Sequence, residues 1–420
     1  MRTAFAFIAL SLSLSLLSTA QAQSGNTAAS GATRSRSATA SSLPPVTALD
    51  DVVPTPQRKT GQSGTEPRNE ISGVARPSSP AAIKARINDA ERFLKTRPRQ
   101  TSLTSPALDV VTLALIDRGS TRIHLLTLSK QSFLTKGSEV TLTTSLGTPV
   151  TLRVLRANGV NTALTVQDDT GRSLMPLLVE YPIEHKGVFK EMAYYTSAHP
   201  ALLSTELVQA GQSYVRSMID LAAKRLKEKG AFISPNIVDV AEHLCLVEHI
   251  DHDRFRNENR AALFNEIYSL YALNEVDTYR YSVSFAGAGG MVQMIPWAYN
   301  LIRQRHPAVG LIPDFVAGMR NQGNALQAML LYMQDTWNDL AASDDVQYAI
   351  ATKLATQTEL LAAGYNSNAA KLPGYIRRGA SDWRTLIPRE TQMYLQIYRS
   401  LEGLVPMKPR TAVGSQEKSE

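Results

Sequence analysis

The hydrophobic pattern of this 420-residue chain changes its period once, and that change limits the architectures open to it. From Leu108 to about Glu184, short β-rich runs follow one another: Val110–Ile116, Ile123–Leu128, Val140–Thr144, Val150–Leu155, Ala163–Val166 and Leu177–Tyr181. Turn signals separate them, including Asp117-Arg-Gly119, Asn158-Gly159 and Thr170-Gly171. After about Lys186 the apolar residues recur at helical spacing instead. Val215, Met218, Ile219, Ala222 and Leu226 share one face, and Gly230 is placed to end that helix. Ser234-Pro235 reads as an N-cap followed by Pro at the first helical position, opening a helix to about His249. Further helical patterns cover Ala261–Leu273, Trp297–Arg305, Asn324–Leu340, Val346–Ala363 and Glu390–Leu401. A run of strands followed by a run of helices predicts an α+β chain with several domains.

The ends read differently. Residues 1–22 have the layout of a secretory signal peptide. Arg2 supplies the positive start, Phe5–Leu17 is apolar but short for a bilayer span, and Ala20-Gln-Ala22 fits a small-x-small cleavage site. The expected location is therefore periplasmic or secreted, with no transmembrane segment once the signal is removed. Residues 23–106 are rich in Ser, Ala, Thr, Pro, Gly and Arg. Such a segment buries too little apolar surface to offset its ordering entropy, so most of it reads as a disordered linker. Within it, Ala82, Ile83, Ile87, Ala90 and Leu94 follow helical spacing, which allows a short helix around Pro80–Leu94. The expected layout continues as a small β domain over 107–186, connecting helices over 187–233, a helical domain over 234–402 and a disordered tail over 403–420.

Composition narrows the partners. An exported chain with one cysteine, Cys245, has no internal disulfide, so it must be held by its core. Cys245 itself lies in an apolar helical pattern and reads as a small buried residue. The net charge of +7 suits an anionic polymer. Nucleic acid is not expected, because no basic stripe carries interleaved aromatics. His249-Ile-Asp-His252 puts two histidines three apart, with His243 and His306 elsewhere, but no acidic or cysteine partner completes a metal site. No metal and no cofactor is expected.

The stretch with most chemical content is Ser284-Phe-Ala-Gly-Ala-Gly-Gly-Met-Val-Gln-Met-Ile-Pro296. Its glycines permit a tight turn and close backbone approach to a ligand. Gln293 carries a donor and an acceptor, suited to N-acetyl and hydroxyl groups. Two further landmarks follow in order, Ala363-Gly-Tyr-Asn-Ser367 and Pro388-Arg-Glu-Thr-Gln-Met-Tyr394. Together the three stretches resemble the signature of the soluble lytic transglycosylases, lysozyme-like enzymes that cut peptidoglycan glycan strands. The resemblance covers about Ser234 to Leu401 and implies a mainly helical, lysozyme-like catalytic domain.

It also implies a mechanism. One Glu protonates the bond between N-acetylmuramic acid and N-acetylglucosamine. It then accepts the proton of the muramic acid C6 hydroxyl, which attacks C1 and leaves a 1,6-anhydro end. A carboxyl can donate at neutral pH only if its surroundings raise its pKa. Two residues compete for this part. Glu248 ends the helix from Pro235, on the stripe of Ile237, Ala241 and Leu244, although His249 stands where the family has Ser. Glu275 ends the stripe of Phe264, Tyr268 and Tyr271, and has the family's spacing to Gly287. If Glu248 is the acid, Phe255–Tyr279 is an inserted helical excursion.

By the same resemblance, Ser284, Gly287, Ala288, Met291, Gln293, Tyr365, Asn366 and Glu390 line the substrate site. Met291 also reads as core, and Glu390 as mainly structural, with Thr391 and Tyr394 completing its motif. Tyr365 is expected near the acid, able to hydrogen-bond it. Trp297 and Trp383 are of a type that stacks on sugar rings, though tryptophan is more often core. The β domain carries no motif. It reads as a packing or positioning module, or as a surface for the wall or an envelope protein. Two other readings stay open: a lysozyme-type hydrolase that uses water, and a non-catalytic wall-binding or envelope-assembly protein on a degenerate lysozyme-like fold.

Overall fold

The computed structural model describes residues 79–97, 101–102, 105–117, 122–284 and 286–410. The signal peptide expected over 1–22, the low-complexity segment up to residue 78 and the tail beyond residue 410 lie outside the described residues. The helix allowed around Pro80–Leu94 forms as α1, Pro80–Thr96, with Ser79 accepting the Ala82 N–H and Ile83, Ile87, Ala90 and Leu94 buried. Those four side chains give α1 an apolar face to bury.

A seven-stranded antiparallel sheet follows. Its strands are β1 (Val110–Asp117), β2 (Ile123–Ser129), β3 (Glu139–Thr143), β4 (Pro149–Arg156), β5 (Ala163–Asp168), β6 (Ser173–His185) and β7 (Val188–Tyr195). The order is β2-β1-β6-β5-β4-β3, and β7 pairs with the second half of β6. The two ends of that path approach each other. The Ser145 N–H donates to the Leu125 carbonyl at 2.8 Å, and the Leu125 N–H donates to Ser145 Oγ at 2.9 Å, so the sheet nearly closes into a barrel. A register shift between Ala114 and Leu115 falls where Pro176, with no N–H to give, enters the ladder.

β1 is buried on both faces. Leu113 and Leu115 point into the barrel, while Ala114 and Ile116 meet α1. The six expected strands are all present. The seventh, β7, occupies residues expected to begin the helical part. Its alternation is irregular, and pairing to β6 supplies what the local pattern does not.

The helices are α2 (Thr205–Glu228), α3 (Pro235–Val247), α4 (His252–Asn257), α5 (Arg260–Asn274), α6 (Pro296–Arg305), α7 (Phe315–Arg320), α8 (Gln322–Ala341), α9 (Asp344–Ala351), α10 (Gln357–Asn366), α11 (Leu372–Gly379), α12 (Trp383–Leu386) and α13 (Arg389–Leu404). The single helix expected over Val346–Ala363 is two. Lys353 at φ +60° breaks it, and a capping box of Thr356 and Glu359 starts α10. At Gly211 a Cβ would lie 1.9 Å from the Tyr268 carbonyl oxygen, so glycine is what lets α2 lie against α5.

Sheet and helices share one buried core, in which Leu113 and Leu164 join Ile219, Leu244 and Leu326. Each such leucine contributes about 1.5–3 kcal/mol relative to exposure. Polar contacts cross the same boundary. Arg156 pairs with Glu266 at 2.7 Å, and Asn274 exchanges two 2.8 Å hydrogen bonds with the backbone of Thr196. The tail expected from 403 is ordered to Arg410, which bonds Asp220 at 2.7 Å, Asp239 at 2.8 Å and Glu242 at 2.6 Å. Among the described residues no helix is long and apolar enough to cross a membrane.

Candidate active site

α3 is apolar nearly all round, and α2, α5, α8, α10 and α13 enclose it. Pro235 starts it, though the Ser234 hydroxyl makes no capping bond. It ends at Val247, and Glu248 is its C-cap. A carboxyl carried to the end of so apolar a helix loses water. Burial pushes the Glu248 pKa up to about 8. The Tyr394 hydroxyl, donating to Glu248 Oε1 at 2.6 Å, pulls in the opposite direction, and the negative charge of Glu390 adds to the rise. The residue itself is half-buried, so the carboxyl is desolvated without being sealed. The balance favours the protonated form near neutral pH.

Glu275 has the opposite surroundings. It is the C-cap of α5 at φ +39°, its side chain is 47% exposed, and its carboxylate pairs with Lys84 of α1. An exposed, ion-paired carboxylate lacks the apolar enclosure that a general acid needs. Residues between Glu248 and Glu275 form α4 and α5, and α5 is buried in the core.

The stretch 284–296 folds as a knot of short backbone contacts. Val283 pairs with Gly289, and Gly289 with Met294. The Ser284 N–H donates to the Ala288 carbonyl at 2.8 Å, and Ser284 Oγ accepts the Ala288 N–H at 3.0 Å. Gly287 (φ +78°) and Gly290 (φ +70°) take the left-handed positions. At Gly290 glycine is also required by space, since a Cβ would lie 2.7 Å from the Met319 carbonyl oxygen. Gln293 is left-handed too (φ +47°), and its Nε2 donates to the Gly290 carbonyl at 2.9 Å. The amide expected to read a sugar therefore spends its donor on the turn. Met291 and Ala288 are buried, Met291 wholly so, whereas Ser284 is exposed.

Three side-chain bonds tie this turn and Glu248 together. His249 Nε2 donates to the Met291 carbonyl at 2.9 Å while its ring stacks on Tyr279, centroids 3.5 Å apart. Burial pushes the His249 pKa down to about 4, so the ring stays neutral and keeps the tautomer that this bond requires. The Tyr365 hydroxyl donates to the Val292 carbonyl at 2.7 Å. The hydrogen bond to Glu248 that Tyr365 was placed to make is made instead by Tyr394, one helical turn after the exposed Glu390 on α13. Burial pushes the Tyr365 pKa well up, and the Glu248 charge, close by, adds to the rise. Asn366 ends α10, half-buried.

The Met291 carbonyl, Tyr365 and Glu390 thus lie around Glu248 and His249, Gln293 folds back onto its own turn, and the Glu275 side chain pairs with Lys84 instead. The geometry adds Tyr394 and His249, which motif reading treated as scaffold and as a departure. Trp297 is 62% exposed immediately after Pro296, whose ring lies over Gly287. Trp383 is fully buried and donates to the Leu354 carbonyl. Among the described residues no three His, Cys, Asp or Glu side chains gather as a metal site. No protein-family model, no curated protein and no solved structure matches the chain.

Proposed function

We propose that this chain is a peptidoglycan lytic transglycosylase with a lysozyme-like catalytic region, and that Glu248 is its acid and then its base. The observation that carries this reading is the desolvated Glu248 carboxyl, bonded by Tyr394 and followed by His249, which bonds the glycine-rich turn. Tyr394 occupies Oε1, which leaves Oε2 to carry the reacting proton. That proton passes to the glycosidic oxygen as the bond from C1 of N-acetylmuramic acid breaks. Positive charge develops at C1, and the Glu248 carboxylate and the Glu390 charge stabilise it. The carboxylate then takes the proton of the C6 hydroxyl as O6 bonds to C1. The anhydro ring closes, Glu248 is protonated again, and no water is consumed.

The turn forms one wall of the site, and Trp297 offers an aromatic face for a neighbouring sugar. Export to the periplasm or beyond, with peptidoglycan strands as partner, goes with this reading. One observation favours a second reading. Glu390 lies close enough for its charge to act on Glu248, and two carboxylates are what a water-using muramidase employs. Mass spectrometry of products from purified peptidoglycan separates the two. Anhydro-muropeptides establish the transglycosylase, free reducing ends establish the muramidase, and no soluble product from folded protein defeats both.

A further inference from the structure

One carboxylate of the sheet reaches the candidate site by two routes. Glu191, on β7, has a side chain 23% exposed. Its Oε2 accepts from Arg280 Nη2 at 2.9 Å, and its Oε1 is paired with Arg320 Nη2. Arg280 stands just before Ser282, whose carbonyl accepts both the Gly290 N–H and Gln293 Nε2 at 3.3 Å. Arg320 follows Met319, whose carbonyl leaves no room for a Cβ at Gly290. The first route ends at Gly290 and Gln293 and the second at Gly290, two of the three left-handed residues of the turn.

Those closing bonds are long and individually weak, since hydrogen-bond strength falls with distance. The turn also holds strained backbone at Gln293, which persists only where its surroundings over-determine it. A carboxylate shared by two guanidinium groups, in a partly buried setting, supplies that constraint from both flanks at once. Asp277 adds a 3.2 Å contact to Arg280 but none to Arg320, so Glu191 is what links the two flanks.

We infer that Glu191 is a positioning residue, and that the β sheet sets the distance between the glycine-rich turn and Glu248. The consequence for catalysis rests on the transglycosylase reading, whereas the consequence for the turn does not. The test compares wild type with Glu191→Gln and Glu191→Asp in the full chain. Three quantities are read: the melting temperature, amide exchange at Gly290 and Gln293, and kcat and KM on soluble glycan strands. Glu191→Gln keeps the shape and loses the charge. It is expected to speed exchange at those two amides at least tenfold and to lower kcat by a similar factor. The melting temperature and the exchange of α8 amides should stay near wild type. Glu191→Asp, which keeps the charge, should fall between the two. Unchanged exchange at Gly290 and Gln293 in Glu191→Gln overturns the inference whatever the activity. Faster exchange with kcat and KM at wild-type values overturns its catalytic half. Faster exchange in a chain whose wild type releases no product upholds the positioning role and defeats the transglycosylase reading instead.

Discussion

Tyr394 donates its hydroxyl proton to Glu248 Oε1 at 2.6 Å, across 146 residues of sequence. The pair joins α13 to the end of α3. In the proposed mechanism a positioned acid contributes roughly 10²–10⁴-fold to a rate. Glu248→Gln should therefore reduce release of anhydro-muropeptides at least a hundredfold in protein with a native melting curve. Glu275→Gln should stay within about threefold of wild type, because its carboxylate is paired with Lys84 at the surface. Equal losses in both variants would remove Glu248 from its assigned part.

The pH profile gives a sharper test, because two neighbours act on Glu248 with opposite sign. Burial raises its pKa to about 8, so activity that needs the protonated acid should fall as pH rises through about 8. Tyr394 favours the carboxylate, so Tyr394→Phe should move the alkaline limb to higher pH and lower kcat about tenfold or more. Glu390 disfavours the carboxylate, so Glu390→Gln should move the same limb to lower pH. Shifts in the same direction would contradict the arrangement of charges.

The same residue should shape stability above pH 4.5. The unfolded carboxyl ionises near its ordinary value, while the folded one holds its proton to about pH 8. Folding stability from this group is complete below pH 4.5 and is lost as pH rises toward 8. Glu248→Gln should flatten that fall in a series of thermal melts.

One half-buried histidine and one buried histidine act on the acid side. His249 and His199 are held neutral by burial, with pKa values pushed down to about 4 and about 3. The unfolded imidazoles bind protons below pH 6.5, and the folded ones resist until about pH 4 and lower. The stability these groups give is present above pH 6.5 and is lost as pH falls through that window. His249→Phe keeps the stacking on Tyr279 but leaves the Met291 carbonyl unpaired. It should cost about 1–3 kcal/mol at pH 7 and reduce the acid-side loss. An unchanged pH dependence would refute it.

The turn's glycines should differ in cost. Gly287→Ala meets strain at φ +78°, but its nearest neighbour is 3.8 Å away, so about 1–2 kcal/mol is expected. Gly290→Ala has a similar strain and also drives its Cβ to 2.7 Å from the Met319 carbonyl oxygen, so a larger loss with near-complete inactivation is expected. Denaturant unfolding of the two variants gives the comparison directly.

The two tryptophans should separate binding from stability. Trp297→Ala removes an exposed ring and should weaken retention on insoluble peptidoglycan about tenfold with an unchanged melting temperature. Trp383→Ala opens a cavity and should cost about 3–5 kcal/mol. Full retention by Trp297→Ala would remove that ring from the substrate path.

Local pattern carried much of the architecture. The six expected strands follow runs that alternate or stay apolar over a few residues, and α2, α3, α5, α6, α8 and α13 follow apolar stripes with recognisable caps. Such signals are local, so they are readable wherever one residue's conformation depends on its near neighbours. Two features were not local, β7 and Arg410. Strand β7 exists because β6 offers it an edge. The break between α9 and α10 is local, a capping box of Thr356 and Glu359, but it lies inside a continuous apolar pattern that hides it. Arg410 is ordered only because Asp220, Asp239 and Glu242 meet in space.

The candidate site divides in the same way. Sequence alone determined that a glycine-rich turn stands before a Pro-started helix, that two glutamates end apolar stripes, and that Tyr365 and Tyr394 lie in motif-like stretches. Only the tertiary structure separated the surroundings of Glu248 and Glu275, one desolvated and the other exposed and ion-paired, and gave Tyr394 rather than Tyr365 the bond to Glu248. The physical reason is that a carboxyl's proton affinity is set by how much water it loses. That depends on which elements close around it, and the helices around Glu248 come from distant parts of the chain.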